Sequence, residues 1–183
     1  MKNILIGGIG NVLLGDDAVG PYVIHLLECS YRFDHSVEIA DLGTPALDLT
    51  HRIAGRDAVI LVDCIASKDY EPGTVLLIRK DDLLRAMPLQ RLDPHSPALA
   101  ECLMTANMLG AAPEQMLLVG IVAQSYEPGH PLSETVRGAA RKAIDAILEE
   151  LQPLGVEFKE NPSPGEPSTW WSNDLELCSR TDC

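Results

Sequence analysis

The chain has 183 residues, of which 46% are hydrophobic, 22% are charged and only 4% are aromatic. This length and composition predict one globular domain with an aliphatic core, and they exclude a disordered chain. The formal net charge of -13 argues against nucleic acid or an anionic membrane surface as the main partner.

The first half of the chain predicts alternating strands and helices. Residues 4–8 form an apolar run typical of a buried strand, and the apolar residues of 16–27 recur with helical spacing. A second strand over 37–40 ends at a turn, after which a short helix opens at Pro45, because proline is tolerated in a first helical turn. The apolar run 58–62 predicts a third strand.

The second half predicts two further strands and two helices. The turn pair Pro72-Gly73 leads into a strand over 74–78 too quickly for the helical crossover that a parallel neighbour requires, so this fourth strand is predicted to be antiparallel. Residues 96–110 predict a helix, 116–122 an apolar core strand and 133–151 a long amphipathic helix. These elements predict a mostly parallel α/β sheet.

The composition changes after Gln152, where proline, serine and glycine replace the periodic pattern. We predict one domain over residues 1–155 and a poorly ordered, acidic, proline- and serine-rich tail over 156–183. Trp170 and Trp171 are the predicted anchor of that tail.

The N-terminal sequence and the cysteines indicate a cytoplasmic protein. The apolar run that starts at Ile4 lacks the length and the small-residue cleavage site of an export signal. The longest apolar stretch, 116–123, is less than half of the ~20 residues that a membrane-spanning helix needs. The five cysteines show no CxxC spacing, which argues against a disulfide framework and a structural zinc site.

Three residues of metal-ligand type lie far apart in the chain, namely Asp17, Asp63 and His95. Each lies just after or between predicted strands or turns, and segments that leave the carboxyl ends of parallel strands converge on one crevice. Two carboxylates and one imidazole there would form an open site for zinc or nickel, with a position left for substrate or water.

Each of these residues also has a purely structural interpretation. Free N–H groups and the helix dipole favour carboxylates at a helix start, which explains either Asp16 or Asp17 alone. Asp63 could cap a turn, and a lone loop histidine such as His95 often has no special role. We assign no role to the other histidines, His25, His35, His51 and His130.

The glycine-rich segment after the first strand does not match the dinucleotide motif GxGxxG, because Leu13 stands where the third glycine is required. Its glycines still allow tight turns, so the loop can pass close to a bound peptide or ion, which Asn11 could orient. No nucleophile-elbow motif or HExxH helix is present in the sequence.

Four segments together resemble the hydrogenase maturation endopeptidases, which trim the C-terminal extension from the large subunit of nickel-iron hydrogenases. They are the motif GIGNVLLGDDAVG at residues 8–20, then Asp41–Thr44, Val62-Asp63 and Pro94-His95. The resemblance covers about residues 1–155. It implies a three-layer α/β/α sandwich around a five-stranded, mostly parallel sheet whose fourth strand is antiparallel.

The resemblance also implies a metal-responsive catalytic site, with Asp17, Asp63 and His95 as its metal ligands. The Gly43-Thr44 turn matches a family segment associated with substrate recognition. In this family the nickel belongs to the substrate, and the protease acts only after nickel has been loaded.

The resulting hypothesis is a cytoplasmic, monomeric, nickel-dependent endopeptidase whose partner is a hydrogenase large-subunit precursor. The ion supplied by the substrate can polarise the scissile carbonyl or lower the pKa of a bound water. Asp16 is the nearest spare carboxylate and is a candidate base. Two alternatives stay open: a nickel-sensing chaperone that uses the same ligands without cutting, and a nucleotide or nucleoside enzyme on a similar sheet.

Overall fold

The computed structural model describes residues 2–86 and 96–165, together with Pro167, Thr169 and Trp171. The strands are β1 (Ile4–Ile9), β2 (Tyr31–Phe33), β3 (Val37–Gly43), β4 (Ala58–Ile65), β5 (Val75–Arg79), β6 (Gln115–Val122) and β7 (Phe158–Glu160). The α-helices are α1 (Val19–Ser30), α2 (Leu49–Ile53), α3 (Lys80–Ala86), α4 (Ser96–Met108) and α5 (Glu134–Leu151). Short 3-10 turns over Gly15–Ala18 and Ala46–Asp48 precede α1 and α2.

A five-stranded sheet in the order β3-β1-β4-β6-β5 forms the centre of the molecule. The pairs β1-β3, β1-β4 and β4-β6 are parallel, whereas β5 runs antiparallel to β6. This arrangement confirms the predicted fold class, because β5 is the fourth strand of this sheet in chain order. The four parallel strands all end at one edge of the sheet, which we call the carboxyl edge.

Helices cover both faces of the sheet and complete three layers. On β1, Ile4 and Ile6 are buried with apolar residues of α1 and α5, whereas Leu5 is buried with residues of α2 and α4. All eight residues of β4 are buried, since this central strand is covered on both faces.

The start of α1 lies directly over the carboxyl ends of β1 and β4 because Gly20 has no side chain. A Cβ atom at Gly20 would stand 2.1 Å from the carbonyl oxygen of Ile9 and 2.7 Å from that of Val62. No side chain fits this space, so glycine is what brings the segment before α1 to the carboxyl edge.

The structure differs from the sequence-based prediction in several elements. The helix predicted from Asp16 begins at Val19, because the two preceding aspartates belong to a 3-10 turn. The strand predicted to end at Val62 continues to Ile65, so Asp63 lies within it. Helix α3 was not predicted; it directly follows β5.

A second, two-stranded sheet pairs β2 with β7 in antiparallel orientation. Tyr31, Phe33 and Phe158 contact one another there, with ring centroids 5.9 to 6.4 Å apart. Val156, just before β7, is also buried. Residues 156–160 therefore pair with and pack against the rest of the domain.

Among the described residues, none of the helices combines the length and the hydrophobicity that crossing a membrane requires.

Candidate functional site

The loop that leaves β1 brings two adjacent carboxylates to the carboxyl edge. It turns sharply at Gly10, where φ is +148° and a Cβ atom would stand 1.8 Å from the carbonyl oxygen of Asp17. This close approach returns the chain so that Asp16 and Asp17 lie in the 3-10 turn before α1. Both are buried, with exposed fractions of 1% and 4%.

Asp17 is oriented by the loop that precedes it. Its Oδ2 accepts a hydrogen bond of 2.7 Å from the backbone N–H of Asn11. The side chain of Asn11 in turn accepts a 3.0 Å bond from the N–H of Leu13 and so fixes the conformation of the loop. The predicted site residue Asn11 therefore acts on Asp17 through its backbone and on its own loop through its side chain.

Asp16 holds the loop between β6 and α5. Its Oδ2 accepts the N–H groups of Gln124 and Ser125 at 2.8 and 3.0 Å, and its Oδ1 accepts that of Ser133 at 2.7 Å. The N–H of Asp16 itself donates to the carbonyl of Ser125. A carboxylate that accepts these backbone bonds has a clear structural role, whereas its predicted role as a base stays a prediction.

Asp63 reaches the same edge from β4. It is 8% exposed, and its Oδ1 accepts a 2.8 Å hydrogen bond from the N–H of Cys64. Because it follows Leu61 by two residues, its side chain belongs to the sheet face covered by α2 and α4. Helix α4 begins at Ser96, the residue after His95.

The three aspartates surround one buried thiol. Burial is the main cause that raises the pKa of Cys64 well above its ordinary range, and a hydrogen bond with Tyr126 opposes it. The negative charges of Asp63, Asp17 and Asp16 raise this pKa further, as expected for carboxylates grouped around the thiol. A raised pKa favours the thiol over the thiolate, so these surroundings do not activate Cys64 as a nucleophile, although it adjoins Asp63.

The Gly43-Thr44 turn lies beside the Asp17 loop. The N–H of Gly10 donates to the carbonyl of Gly43 at 2.9 Å, and the N–H of Gly43 donates to Oδ1 of Asp41 at 2.9 Å. Gly43 has φ of +55°, and among the described residues no heavy atom beyond its chain neighbours lies within 4 Å of where its Cβ would stand. Thr44 is exposed, so this turn presents an open surface next to the carboxylates.

His95, the third predicted ligand, lies outside the described residues. Within the residues that the structure does describe, no group of three or more His, Cys, Asp or Glu side chains is arranged to hold a metal ion. The structure thus brings Asp17 and Asp63 to one edge of the sheet, and the part of His95 in the site stays a prediction.

One histidine to which the sequence analysis assigned no role lies near the Gly43-Thr44 turn. His25, on α1, has its Nε2 atom 3.6 Å from Oδ2 of Asp41, and its ring packs against that of Trp171 in a tilted arrangement. Helical spacing placed His25 correctly on α1, but its neighbours come from β3 and from the C-terminal segment. No local sequence signal indicates such a contact.

Comparisons with known proteins identify relatives along most of the chain. The family model for hydrogenase maturation proteases (HycI) matches residues 21–150. The hydrogenase 2 maturation protease of Escherichia coli K12 is 36% identical over 154 residues, which cover 84% of this chain and 93% of that protein. The hydrogenase expression/formation protein HoxM of Azotobacter vinelandii is 35% identical over 157 residues, covering 84% of this chain and 74% of that protein.

The fold agrees with these sequence relationships. The solved structure of the hydrogenase maturating endopeptidase HybD from E. coli has a TM-score of 0.81 and 34% identity, covering 87% of this chain and 98% of that one. The segment after residue 150 lies outside the family match. On both sequence and fold, this chain belongs to the hydrogenase maturation protease family.

Proposed function

We propose that this protein is an endopeptidase that removes the C-terminal extension from a nickel-loaded large-subunit precursor of a nickel-iron hydrogenase. The observation that supports this function best is the pair of buried carboxylates, Asp17 and Asp63, at one edge of the sheet beside the open Gly43-Thr44 turn. We further propose that it acts in the cytoplasm as a monomer.

The nickel in this proposal is cargo of the substrate. Asp17 and Asp63 offer oxygen ligands at 4% and 8% exposure, and buried carboxylates are costly unless a cation or hydrogen bonds compensate them. His95 would add a nitrogen ligand, which suits nickel. Three protein ligands leave positions that only the loaded precursor fills, so cleavage would depend on nickel loading.

The protein's own groups orient this site before the precursor arrives. The N–H of Asn11 holds Asp17, and the N–H of Cys64 holds Asp63. Since burial and the nearby carboxylates raise the pKa of Cys64 and disfavour a thiolate nucleophile, the proposed reaction is direct attack by water on the peptide bond, with no covalent enzyme intermediate. The Gly43-Thr44 turn would bind the precursor next to the two carboxylates.

The experiment that tests this function compares nickel-loaded and nickel-free precursor as substrates, with mass spectrometry of the large subunit as the readout. We expect shortening of the loaded precursor alone. Equal cleavage of both forms contradicts the nickel gate, and cleavage of neither contradicts the protease assignment. Nickel-dependent binding without any shortening would favour the chaperone alternative instead.

A further inference from the structure

A cluster outside the carboxylate site links the C-terminal segment to the Gly43-Thr44 turn. Its centre is His25 on α1, whose Nδ1 lies 3.5 Å from Oε2 of Glu28 and whose Nε2 lies 3.6 Å from Oδ2 of Asp41. The Nε2 atom is buried and makes no hydrogen bond within the described part of the chain. At 3.6 Å the contact between this atom and Oδ2 of Asp41 is longer than a hydrogen bond, and it places the edge of the imidazole directly beside the carboxylate.

Trp171 packs against the imidazole of His25. It is 4% exposed, and its ring centroid lies 5.7 Å from that of His25 with the ring planes at 42°. A large aromatic side chain this well buried contributes substantially to holding its own segment in place. Trp171 therefore fixes part of the C-terminal segment over the imidazole.

The C-terminal segment reaches this position along α1. After β7, Asn161 donates its backbone N–H to the carbonyl of Ser30 at 2.7 Å and its side-chain amide to the carbonyl of Cys29 at 3.0 Å. Trp171 then contacts His25, one turn closer to the start of the helix. These contacts run from the end of α1 towards the carboxyl edge.

Asp41 connects this cluster to the turn. One carboxylate oxygen, Oδ1, accepts the N–H of Gly43, and the other, Oδ2, faces His25. Gly43 in turn accepts the N–H of Gly10, which adjoins the loop that orients Asp17. A change in the rotamer of Asp41 would therefore release the N–H of Gly43 and loosen the turn.

We propose that His25 and Trp171 are positioning residues that hold the Gly43-Thr44 turn, through Asp41, in the conformation that docks the precursor. This inference rests on the proposed function, because it names a determinant of substrate affinity at the same site. Neither residue touches the reacting peptide bond, so their loss affects docking and not the chemical step.

The test measures kcat and KM for cleavage of nickel-loaded precursor by His25→Ala and Trp171→Ala. We expect KM to rise about tenfold in both, with kcat changed less than about twofold. His25→Gln and Trp171→Phe should restore a KM near that of the wild type, because they retain a polar group facing Asp41 and an aromatic ring. The matched control is His35→Ala, an exposed histidine before β3, which should leave both constants unchanged.

Amide hydrogen exchange, measured by NMR, tests the same inference without any cleavage. The N–H of Gly43 should exchange about tenfold faster in His25→Ala and Trp171→Ala than in the wild type or His35→Ala. Unchanged KM together with unchanged exchange would overturn the inference. If the wild type cleaves no precursor, the proposed function fails, while the exchange rate of Gly43 still decides whether His25 and Trp171 hold the turn.

Discussion

Two adjacent aspartates perform different tasks because their surroundings differ. Asp16 accepts three backbone N–H groups of the loop between β6 and α5 and thereby holds that loop. Asp17 accepts a hydrogen bond from the backbone N–H of Asn11, and it lies beside the open Gly43-Thr44 turn at the carboxyl edge. Both are buried, so burial alone does not separate the carboxylate that holds a loop from the one that we propose as a ligand of the site.

Replacing the site carboxylates should abolish cleavage without unfolding the protein. In Asp17→Asn and Asp63→Asn the side-chain oxygen can still accept the bond from the N–H of Asn11 or Cys64, but the negative charge is lost. We expect cleavage of nickel-loaded precursor to fall about 100-fold or more, since charge stabilisation at such a site is worth several kcal/mol.

Asp57→Asn is the matched control for these two variants. Asp57 directly precedes β4, at the opposite edge of the sheet, and accepts the N–H of Asn3 at 2.7 Å. Cleavage by this variant should match that of the wild type. Wild-type rates in Asp17→Asn or Asp63→Asn would remove the carboxylate pair from the mechanism.

Asp16→Ala should destabilise the protein. It removes the acceptor of three backbone N–H groups, and each unsatisfied group costs about 1–3 kcal/mol. We expect the free energy of unfolding, measured by urea denaturation, to fall by about 3 kcal/mol or more. Asp34→Ala removes an exposed acceptor for Ser36 and should cost much less. If Asp16→Ala kept its stability but lost cleavage, Asp16 would be the base.

At the scale of elements, the site depends on where α1 begins. Gly8 and Gly20 allow the helix start to touch the backbone of the sheet: a Cβ at Gly8 would stand 2.5 Å from the carbonyl oxygen of Gly20. The contact is between backbone atoms, which cannot move away as a flexible side chain can. The glycines of the sequence motif therefore determine the position of the turn that carries Asp17.

The variant Gly20→Ala tests this contact, with Gly138→Ala as its matched control. Both glycines lie in helices, but a Cβ at Gly20 would overlap two carbonyl oxygens, whereas one at Gly138 would meet no atom of another described segment within 4 Å. We expect Gly20→Ala to lose several kcal/mol of stability and Gly138→Ala to gain up to about 1 kcal/mol. Calorimetric melting temperatures that shift equally in both variants would contradict this account.

The elements that the sequence predicted are those with a local signal. The apolar runs of β1, β4 and β6 and the stripe of α5 are periodic, and the short Pro72-Gly73 connection indicated the antiparallel β5. The strands β2 and β7 have three residues each, too few to show a period, and they pair across most of the chain. They were therefore missed.

In the site, too, residues with a local sequence signal could be predicted, whereas contacts between distant segments could not. The placement of Asp17 and Asp63 at the carboxyl edge could be predicted because each lies near the carboxyl end of a parallel strand, where α/β folds bind ligands. The tasks of Asp16 and His25 could not, since their partners, such as Ser133 and Trp171, come from distant segments. Contacts of this kind depend on tertiary packing, which no spacing in the sequence reveals.

At the scale of the whole molecule, folding buries the thiol of Cys64 together with nearby aspartate side chains. Cys64 is 2% exposed near the carboxyl end of the central strand β4, and the chain carries a formal net charge of -13. Burial, together with the nearby aspartates, raises the pKa of this thiol. The folded protein therefore retains a proton that the unfolded chain releases at moderately alkaline pH.

This difference predicts a loss of stability at alkaline pH that is specific to Cys64. The ordinary pKa of a cysteine is about 8.5, so the contribution of the raised pKa is fully present below about pH 8.5. Above that pH the unfolded state binds fewer protons than the folded state, and the free energy of unfolding falls by up to about 1.4 kcal/mol per pH unit. The variant Cys64→Ala has no thiol to ionise, so its free energy of unfolding lacks this dependence on pH.

Urea denaturation of the wild type and Cys64→Ala, from about pH 7 to pH 10, measures the effect as the difference between their free energies of unfolding. The other ionisable groups are present in both proteins, so their titration cancels to a first approximation. The cavity left by the substitution changes the difference between the two free energies of unfolding by the same amount at every pH. The wild type should therefore lose stability relative to the variant as the pH rises above about 8.5. A difference that stays constant over this range would mean that the folded thiol ionises as readily as the unfolded one, and Cys64 would become a candidate nucleophile beside Asp63.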